Sequence, residues 1–145
     1  MVVVEGFLDA LVATARGVLG VVATGGSALT DSQLETVLRY GERSFVLALD
    51  SDEAGQKGTE QSLERMYGRK ARAYVLTLPE GLKDPDELIK AKGVEAFRAL
   101  VSRAEAGAKW KAKRLLSKHS LQTDRDRCLT SKPLGQFGLE KEWMV

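Results

Sequence analysis

The sequence predicts an α/β fold in which a mainly parallel sheet is flanked by helices. Short runs of β-branched and apolar residues alternate with longer stretches of helical periodicity. The short runs are almost continuously apolar, which is typical of parallel strands covered by helices on both faces. Gly17, Gly41 and Gly68 each follow a helical stretch, where glycine commonly ends a helix.

Four strands and three helices are predicted before Pro79. Leu8, Leu11, Val12 and Ala15 share one face of the first helix, so we expect that face to contact the core. Thr30 or Asp31 is expected to cap the second helix, and Asp52 or Glu53 to begin the third. The strands are predicted at residues 2–4, 18–23, 45–49 and 71–76, and the helices at 8–17, about 30–40 and about 52–67.

The chain changes character in its last third. Two short helices, about 84–91 and 94–106, are separated by Gly93. A basic helix is expected over 109–118, with an apolar stripe of only Trp110, Leu115 and Leu116, and residues 120–145 are expected to be poorly ordered or dependent on a partner. These observations predict two domains, residues 1–107 and 108–145.

The composition limits the function classes. The 145 residues are 43% hydrophobic, which suits one core of ordinary size. A single cysteine, Cys128, excludes an internal disulfide, and one cysteine with one histidine cannot form a zinc site. Any metal must therefore bind oxygen ligands, which favours Mg²⁺, Mn²⁺ or Ca²⁺. The sequence has no membrane-spanning run and no signal-peptide pattern, so we expect a cytoplasmic protein without membrane partners.

Charge is unevenly distributed along the chain. Residues 1–108 carry 13 Lys/Arg and 16 Asp/Glu, a net charge of −3. Residues 109–145 carry 9 Lys/Arg and 4 Asp/Glu, a net charge of +5. An acidic body with a basic tail is compatible with a phosphate-rich partner, and equally with a solvated tail.

Acidic residues follow the predicted strands at the points where the strands end. Ligands bind beyond the carboxyl ends of the strands in open α/β sheets, and several carboxylates placed there repel one another unless a cation neutralises them. Divalent ions held in this way clamp phosphate oxygens and activate an attacking oxygen. The sequence therefore predicts a metal site for phosphoryl-transfer chemistry at this edge, built from Glu5, Asp9, Asp50, Asp52, Asp84 and Asp86.

Each of these residues also has an ordinary structural explanation. Asp50 or Asp52 alone is compatible with a helix N-cap, as is Asp84 before Pro85. Glu5 alone is compatible with a solvated side chain. Gly25 and Gly26 follow the second strand, where their N–H groups would meet a phosphate or simply form a turn. Lys57 and Lys83 flank the carboxylates and would contact phosphate or balance charge.

Four segments, in order, resemble the Toprim domain of bacterial DnaG-type DNA primases. Residues 4–9, Val-Glu-Gly-Phe-Leu-Asp, resemble the Glu-Gly-x-x-Asp motif, and residues 50–57 resemble the Asp-x-Asp motif. Residues 26–30, Gly-Ser-Ala-Leu-Thr, are similar to the primase Gly-Thr-Ala-Leu-Thr segment. Residues 78–87 resemble the segment Leu-Pro-x-Gly-Lys-Asp-Pro-Asp-Glu, with Leu82 as an additional residue.

The resemblance implies a Toprim (Rossmann-like) fold with a four-stranded sheet and a short helical C-terminal extension. It implies Mg²⁺ or Mn²⁺ bound by the six carboxylates, with Glu5, Asp9, Asp50 and Asp52 as the catalytic set. The implied substrates are nucleoside triphosphates and a single-stranded DNA template, and the implied partners are a replicative helicase or other primase domains. The zinc-binding and basic polymerase regions that precede this motif in the family have no counterpart in the chain.

Three hypotheses for function follow. The first is the metal-binding core of a primase, with weak or no primer synthesis alone. The second is a stand-alone Toprim nuclease or phosphohydrolase, in which the same metals activate water. The third is a non-enzymatic module whose basic helix 109–118 contacts DNA or a replication partner.

Overall fold

The computed structural model describes residues 1–118. By its internal contacts the chain divides into two units, and the boundary falls between Glu105 and Ala106. The elements, in chain order, are β1 (Val2–Val4), α1 (Phe7–Ala15), β2 (Val21–Ala23), α2 (Asp31–Arg39), β3 (Ser44–Ala48), α3 (Glu53–Gly68), β4 (Arg72–Val75), α4 (Pro85–Lys92), α5 (Val94–Ser102), β5 (Glu105–Ala106) and α6 (Gly107–Lys118). The predictions for residues 120–145 lie outside the described residues.

The strands form one sheet in the order β2-β1-β3-β4-β5. β1 pairs in parallel with β2 and with β3, and β3 pairs in parallel with β4. The predicted α/β class and mainly parallel sheet are therefore confirmed. The predicted number of four strands is wrong for the described residues, because Glu105–Ala106 adds a fifth. A two-residue strand that contains a glutamate lacks the apolar run that identified the other strands.

Both faces of the sheet are buried. Val2, Val4 and Ala48 belong to a cluster that also contains Ala13 of α1 and Phe97 of α5. Strand side chains alternate between faces, so Val3, Phe45 and Leu47 point to the opposite side, where they are fully buried. The central strands β1 and β3 therefore have a hydrophobic environment on each side, which explains their unbroken apolar sequences.

The predicted core face of α1 is wrong. Leu8 and Leu11 are 71% and 63% exposed, and Ala15 is also exposed, whereas Val12 is only partly buried. The helix instead buries Asp9 and Ala13, which are four residues apart on one face. Periodicity identified a helix but not its orientation, because α1 carries apolar residues around most of its circumference.

Two other predicted elements have different bounds in the structure. The second strand begins at Val21 rather than residue 18, because Gly20 has a φ of +71° and Leu19 is 87% exposed. Val18 is buried, so its apolar character reflects packing in the loop rather than a strand. The helix expected over 94–106 ends at Ser102, before the short β5.

The basic helix is confirmed as α6, but its predicted apolar stripe is not the buried side. Lys111 and Ala112 are buried, whereas Leu116 is 38% exposed. The guanidinium of Arg114 lies 5.7 Å from the centre of the Trp110 ring, within the range of a cation–π contact. Among residues 1–118, no helix combines the length and apolar character needed to cross a membrane.

Candidate metal centre

The parallel sheet brings the ends of β1, β3 and β4 to one edge, which we call the carboxyl edge. Val4 is paired with Ala48, so Glu5 and Asp50 emerge from neighbouring strands, which in a sheet lie about 4.8 Å apart. Asp84 and Asp86 lie in the connection that follows β4 and at the start of α4. Three neighbouring connections thus each place carboxylates at this edge, as the sequence predicted from strand order.

Three buried carboxylate oxygens at the carboxyl edge have no hydrogen-bond partner. These atoms are Glu5 Oε2, Asp50 Oδ1 and Asp86 Oδ1, one from each of the three connections. A buried oxygen without a donor loses its hydration without compensation, which costs about 1–3 kcal/mol and more when it is charged. Within residues 1–118, these are the only buried side-chain oxygen or nitrogen atoms in that condition.

The electrostatics show the same shortage of positive charge. The pKa of Asp50 is raised from 3.8 to about 6, chiefly by burial and then by repulsion from Glu5, Asp9, Asp84 and Asp52. Burial is also the largest cause of the raised pKa of Glu5, followed by repulsion from Asp52. The carboxyl edge therefore favours neutralisation, either by protons or by a cation.

Asp9 has both carboxylate oxygens occupied by backbone N–H groups. Its Oδ2 accepts a 3.1 Å hydrogen bond from Gly6, and its Oδ1 accepts one of 3.1 Å from Asp86. The side chain is only 7% exposed, and burial raises its pKa although both hydrogen bonds oppose the shift. Asp9 thus connects the start of α1 to the start of α4.

Asp52 and Asp84 each cap a helix. Asp52 Oδ1 accepts from the N–H of Gly55 at 2.8 Å, and Asp84 Oδ1 accepts from that of Glu87 at 2.7 Å. The capping explanation raised by the sequence is therefore correct for both. Each cap uses one of two carboxylate oxygens, so capping leaves the second oxygen available to another ligand.

Gly55 allows the start of α3 to approach Asp50 closely. A Cβ atom added at Gly55 would lie 2.3 Å from the carbonyl oxygen of Asp50 and 2.9 Å from its nitrogen. No side chain fits in that space. Glycine three residues after Asp52 therefore permits the tight turn that holds Asp50 and Asp52 at the same edge.

Ser51 was not singled out from the sequence, although it connects two loops of the site. Its N–H donates to the carbonyl of Lys83 at 2.8 Å, and its hydroxyl donates to that of Leu82 at 3.0 Å. These bonds hold the Asp50–Asp52 turn against the loop that carries Asp84. In the sequence, only its position between two aspartates pointed to Ser51. That position does not predict the hydrogen bonds to Leu82 and Lys83.

The structure gives Gly25 a different role from phosphate binding. Its N–H donates to the carbonyl of Glu5 at 3.0 Å, so this N–H is not available to a phosphate. Gly25 has a φ of +67°, and an added Cβ would lie 2.8 Å from the ring of Phe7. The Gly25-Gly26 pair is therefore a turn packed beneath Phe7, the second of the two explanations that the sequence allowed.

The carboxylates do not form a ready-made coordination shell. Across residues 1–118, no three Asp, Glu, His or Cys side chains are grouped closely enough to hold one ion together. The donor set consists of carboxylates alone, and it includes three unpartnered oxygens. This chemistry suits hard divalent cations that keep some of their own water.

Comparison with known proteins gives the site a family context. Residues 2–89 match the family described as Toprim-like. A DNA primase of Clostridium acetobutylicum is 35% identical over 104 residues, which are 72% of this chain and 17% of that protein. The chain thus spans only about a sixth of that relative's length.

Solved structures show the same relationship. The structure of the DnaG catalytic core superposes with a TM-score of 0.80 at 26% identity, covering 94% of this chain and 46% of the other. The DnaG primase catalytic domain bound to single-stranded DNA superposes with a TM-score of 0.79 at 26% identity, with the same coverage. The chain belongs to the Toprim-like family and matches the Toprim region of bacterial DNA primase.

Proposed function

We propose that this chain is the Toprim catalytic core of a DNA primase, and that its carboxyl edge binds Mg²⁺ or Mn²⁺. The observation that carries the proposal is the set of three buried, unpartnered oxygens on Glu5, Asp50 and Asp86. They come from three neighbouring connections. Lys90 pairs with the other carboxylate oxygen of Asp86, so its charge reaches only one of the three residues. The proposed metal-binding set is that of the sequence: Glu5, Asp9, Asp50, Asp52, Asp84 and Asp86.

The residues present fit such ions. Mg²⁺ usually binds proteins through one or two carboxylates, while water and substrate phosphates complete its octahedral shell. Pairs of carboxylates are therefore sufficient, and a group of three around one point is not required. A bound dication would also offset the burial and the mutual repulsion that together raise the pKa of Asp50.

The individual residues then have different roles. When bound, the ions would clamp triphosphate oxygens and lower the pKa of the attacking ribose hydroxyl. Glu5 is proposed to assist proton transfer or to organise the ions, because its Oε2 is buried at the carboxyl edge without a hydrogen-bond donor. Asp9 both positions the site and can bind an ion, because each of its oxygens accepts one backbone N–H group and keeps a second lone pair.

The proposed substrates are nucleoside triphosphates and a single-stranded DNA template. The related catalytic domain that was solved with single-stranded DNA supports this assignment. Because the chain aligns with 46% of the solved DnaG core, we expect primer synthesis to need the rest of such a core. The remaining primase domains and a replicative helicase are the proposed protein partners.

Calorimetric titration with Mn²⁺ tests the metal site. We expect a saturable heat for the natural chain and its loss in the double variant Asp50→Asn/Asp52→Asn. The matched control is Glu35→Gln/Glu95→Gln, which removes the same charge from exposed positions on α2 and α5 and should titrate like the natural chain. Equal heats for all three proteins would exclude the site.

A second experiment tests the reaction. Primer synthesis on single-stranded DNA is measured with and without the remaining part of a primase catalytic core added in trans. We expect activity only with both parts present, with Mn²⁺ or Mg²⁺ and with Asp50 intact. Degradation of plasmid by this chain alone would instead support a nuclease.

A further inference from the structure

The opposite edge of the sheet, where β3 and β4 begin, carries an open groove of about 510 Å³. We call it the arginine groove; it is lined by Glu35, Leu38, Arg39, Arg43 and Arg69. Arg43 immediately precedes β3, whereas Asp50 follows that strand. At about 3.3 Å per residue, seven residues separate the groove from the carboxyl edge by roughly 23 Å. The two sites therefore do not share a ligand ion.

The arginines that line the groove differ in whether they have acidic partners. Arg69 is already neutralised, because its guanidinium pairs with Asp31 at 2.8 Å and with Glu35 at 3.1 Å. Arg39 and Arg43 are exposed, and neither side chain has a charged partner among residues 1–118. Arg69 is thus fixed by its ion pairs at one side of the groove. The guanidinium groups of Arg39 and Arg43 are available to an external anion.

The strand register adds more positive charge beside the groove. The N–H of Arg72, the first residue of β4, donates to the carbonyl of Arg43, the residue before β3, at 2.8 Å. Lys70, two residues earlier, adopts a φ of +55°, and its side chain is exposed. The nearby acid Glu42 does not balance them, because it accepts the N–H groups of Arg43 and Ser44 and pairs with the chain's amino terminus.

An exposed aromatic ring lies between Arg39 and Arg43 in the sequence. Tyr40 is 87% exposed and separates Arg39 from the turn that leads to Arg43. A basic groove with an adjacent exposed aromatic ring is the combination that binds single-stranded nucleic acid, in which phosphates contact cations and a base stacks on the ring. An acidic peptide would use the cations but would gain nothing from a stacking face.

We propose that the arginine groove is a second nucleic-acid contact, remote from the carboxyl edge. Arg39 and Arg43 hold phosphates of a single strand, and Tyr40 stacks against one of its bases. The contact requires no metal, so it can be tested independently of the proposed catalytic function.

The test is the salt dependence of binding to fluorescein-labelled oligo-dT, measured by anisotropy with EDTA present and the full chain. Each lost phosphate contact lowers the slope of log K against log salt by about 0.7 for single strands. We therefore expect Arg39→Gln/Arg43→Gln to lower the slope by about 1.4. The control Lys92→Gln/Arg103→Gln removes the same charge from exposed positions at the C-terminal ends of α4 and α5 and should leave the slope unchanged.

Two further measurements identify the ligand class. Tyr40→Ala should weaken oligo-dT binding about fivefold or more, with no change in slope, because stacking carries no counterion release. A polyglutamate peptide of equal charge should compete poorly. Equal competition would overturn the proposal in favour of a general anion surface. Equal slopes for the natural chain and the groove variant would overturn the proposal. A lower melting temperature for that variant would then assign the two arginines a structural role.

Discussion

Asp9 accepts a 3.1 Å hydrogen bond from the backbone N–H of Asp86, across 77 positions of the sequence. The bond joins the first turn of α1 to the first turn of α4. Both residues were expected at the site from their positions after strands, but the contact itself follows from the packing of α1 against α4. It makes Asp9 a support for the residues around it.

Asp9→Ala should destabilise the fold. The substitution leaves the N–H groups of Gly6 and Asp86 without their acceptor, and each such loss costs about 1–3 kcal/mol when the group is buried. Urea unfolding in EDTA measures the effect without a metal contribution. Glu80→Ala, at an exposed position after β4, is the control and should change stability little. A stability of Asp9→Ala equal to that of the natural chain would contradict the supporting role.

Asp50→Asn should increase the stability of the fold when no metal is present. The variant removes a buried charge that repels Glu5 and Asp9 but keeps the side-chain shape. We expect a gain of roughly 1 kcal/mol at pH 7, or about 4 °C in Tm for a domain of this size. With saturating Mn²⁺ the order should reverse, because ligand binding stabilises only the natural chain. A lower Tm for Asp50→Asn in EDTA would contradict the electrostatic argument.

The pH dependence of stability should follow from the same residue. The pKa of Asp50 rises from 3.8 to about 6 on folding, so between these values the folded state binds more protons than the unfolded state. Stability of the metal-free chain should therefore fall as pH increases through that window and level off above it. The raised pKa of Glu5 and Asp9 adds to this trend, whereas the lowered pKa of Glu42 opposes it. The difference between the natural chain and Asp50→Asn, measured from pH 4 to 7, isolates the Asp50 contribution and should grow with pH.

Gly55→Ala should be strongly destabilising despite the better helix propensity of alanine. The added Cβ would lie 2.3 Å from the Asp50 carbonyl oxygen, so the turn at the carboxyl edge must shift. We expect a loss of about 2 kcal/mol or more, together with weaker Mn²⁺ binding. Gly68→Ala is the matched control, since nothing lies within 4 Å of its added Cβ, and it should be neutral or slightly stabilising. Similar unfolding curves for both variants would show that α3 does not approach Asp50 so closely.

The exposed face of α1 provides a test of its orientation. Leu11→Gln should leave stability within about 0.5 kcal/mol, because the side chain is 63% exposed. Leu34→Ala, at a fully buried position of α2, should cost about 2–5 kcal/mol. Denaturant unfolding of the two variants distinguishes the observed orientation of α1 from the one that periodicity predicted. A large loss for Leu11→Gln would favour the predicted face.

The sequence alone was sufficient for the class of fold and for the position of the acidic residues. Continuous apolar runs identify parallel buried strands, and strand polarity places whatever follows each strand at the carboxyl edge. Glu5, Asp50 and Asp84 were located in this way, because the argument needs only chain order. The order of the motifs also identified the Toprim-like family, which the comparisons confirm.

Only the tertiary structure decided the orientation of α1, the support that Asp9 gives to Asp86 and the link between Ser51 and the loop of Lys83. Each depends on contacts between segments that are far apart in the sequence, and local periodicity carries no information about them. An amphipathic pattern states that a helix has a buried side; where apolar residues surround the helix, packing against the rest of the core determines which side it is. The same holds for the arginine groove, in which Arg69, at the end of α3, lies beside Arg39 and Arg43 although no motif links them.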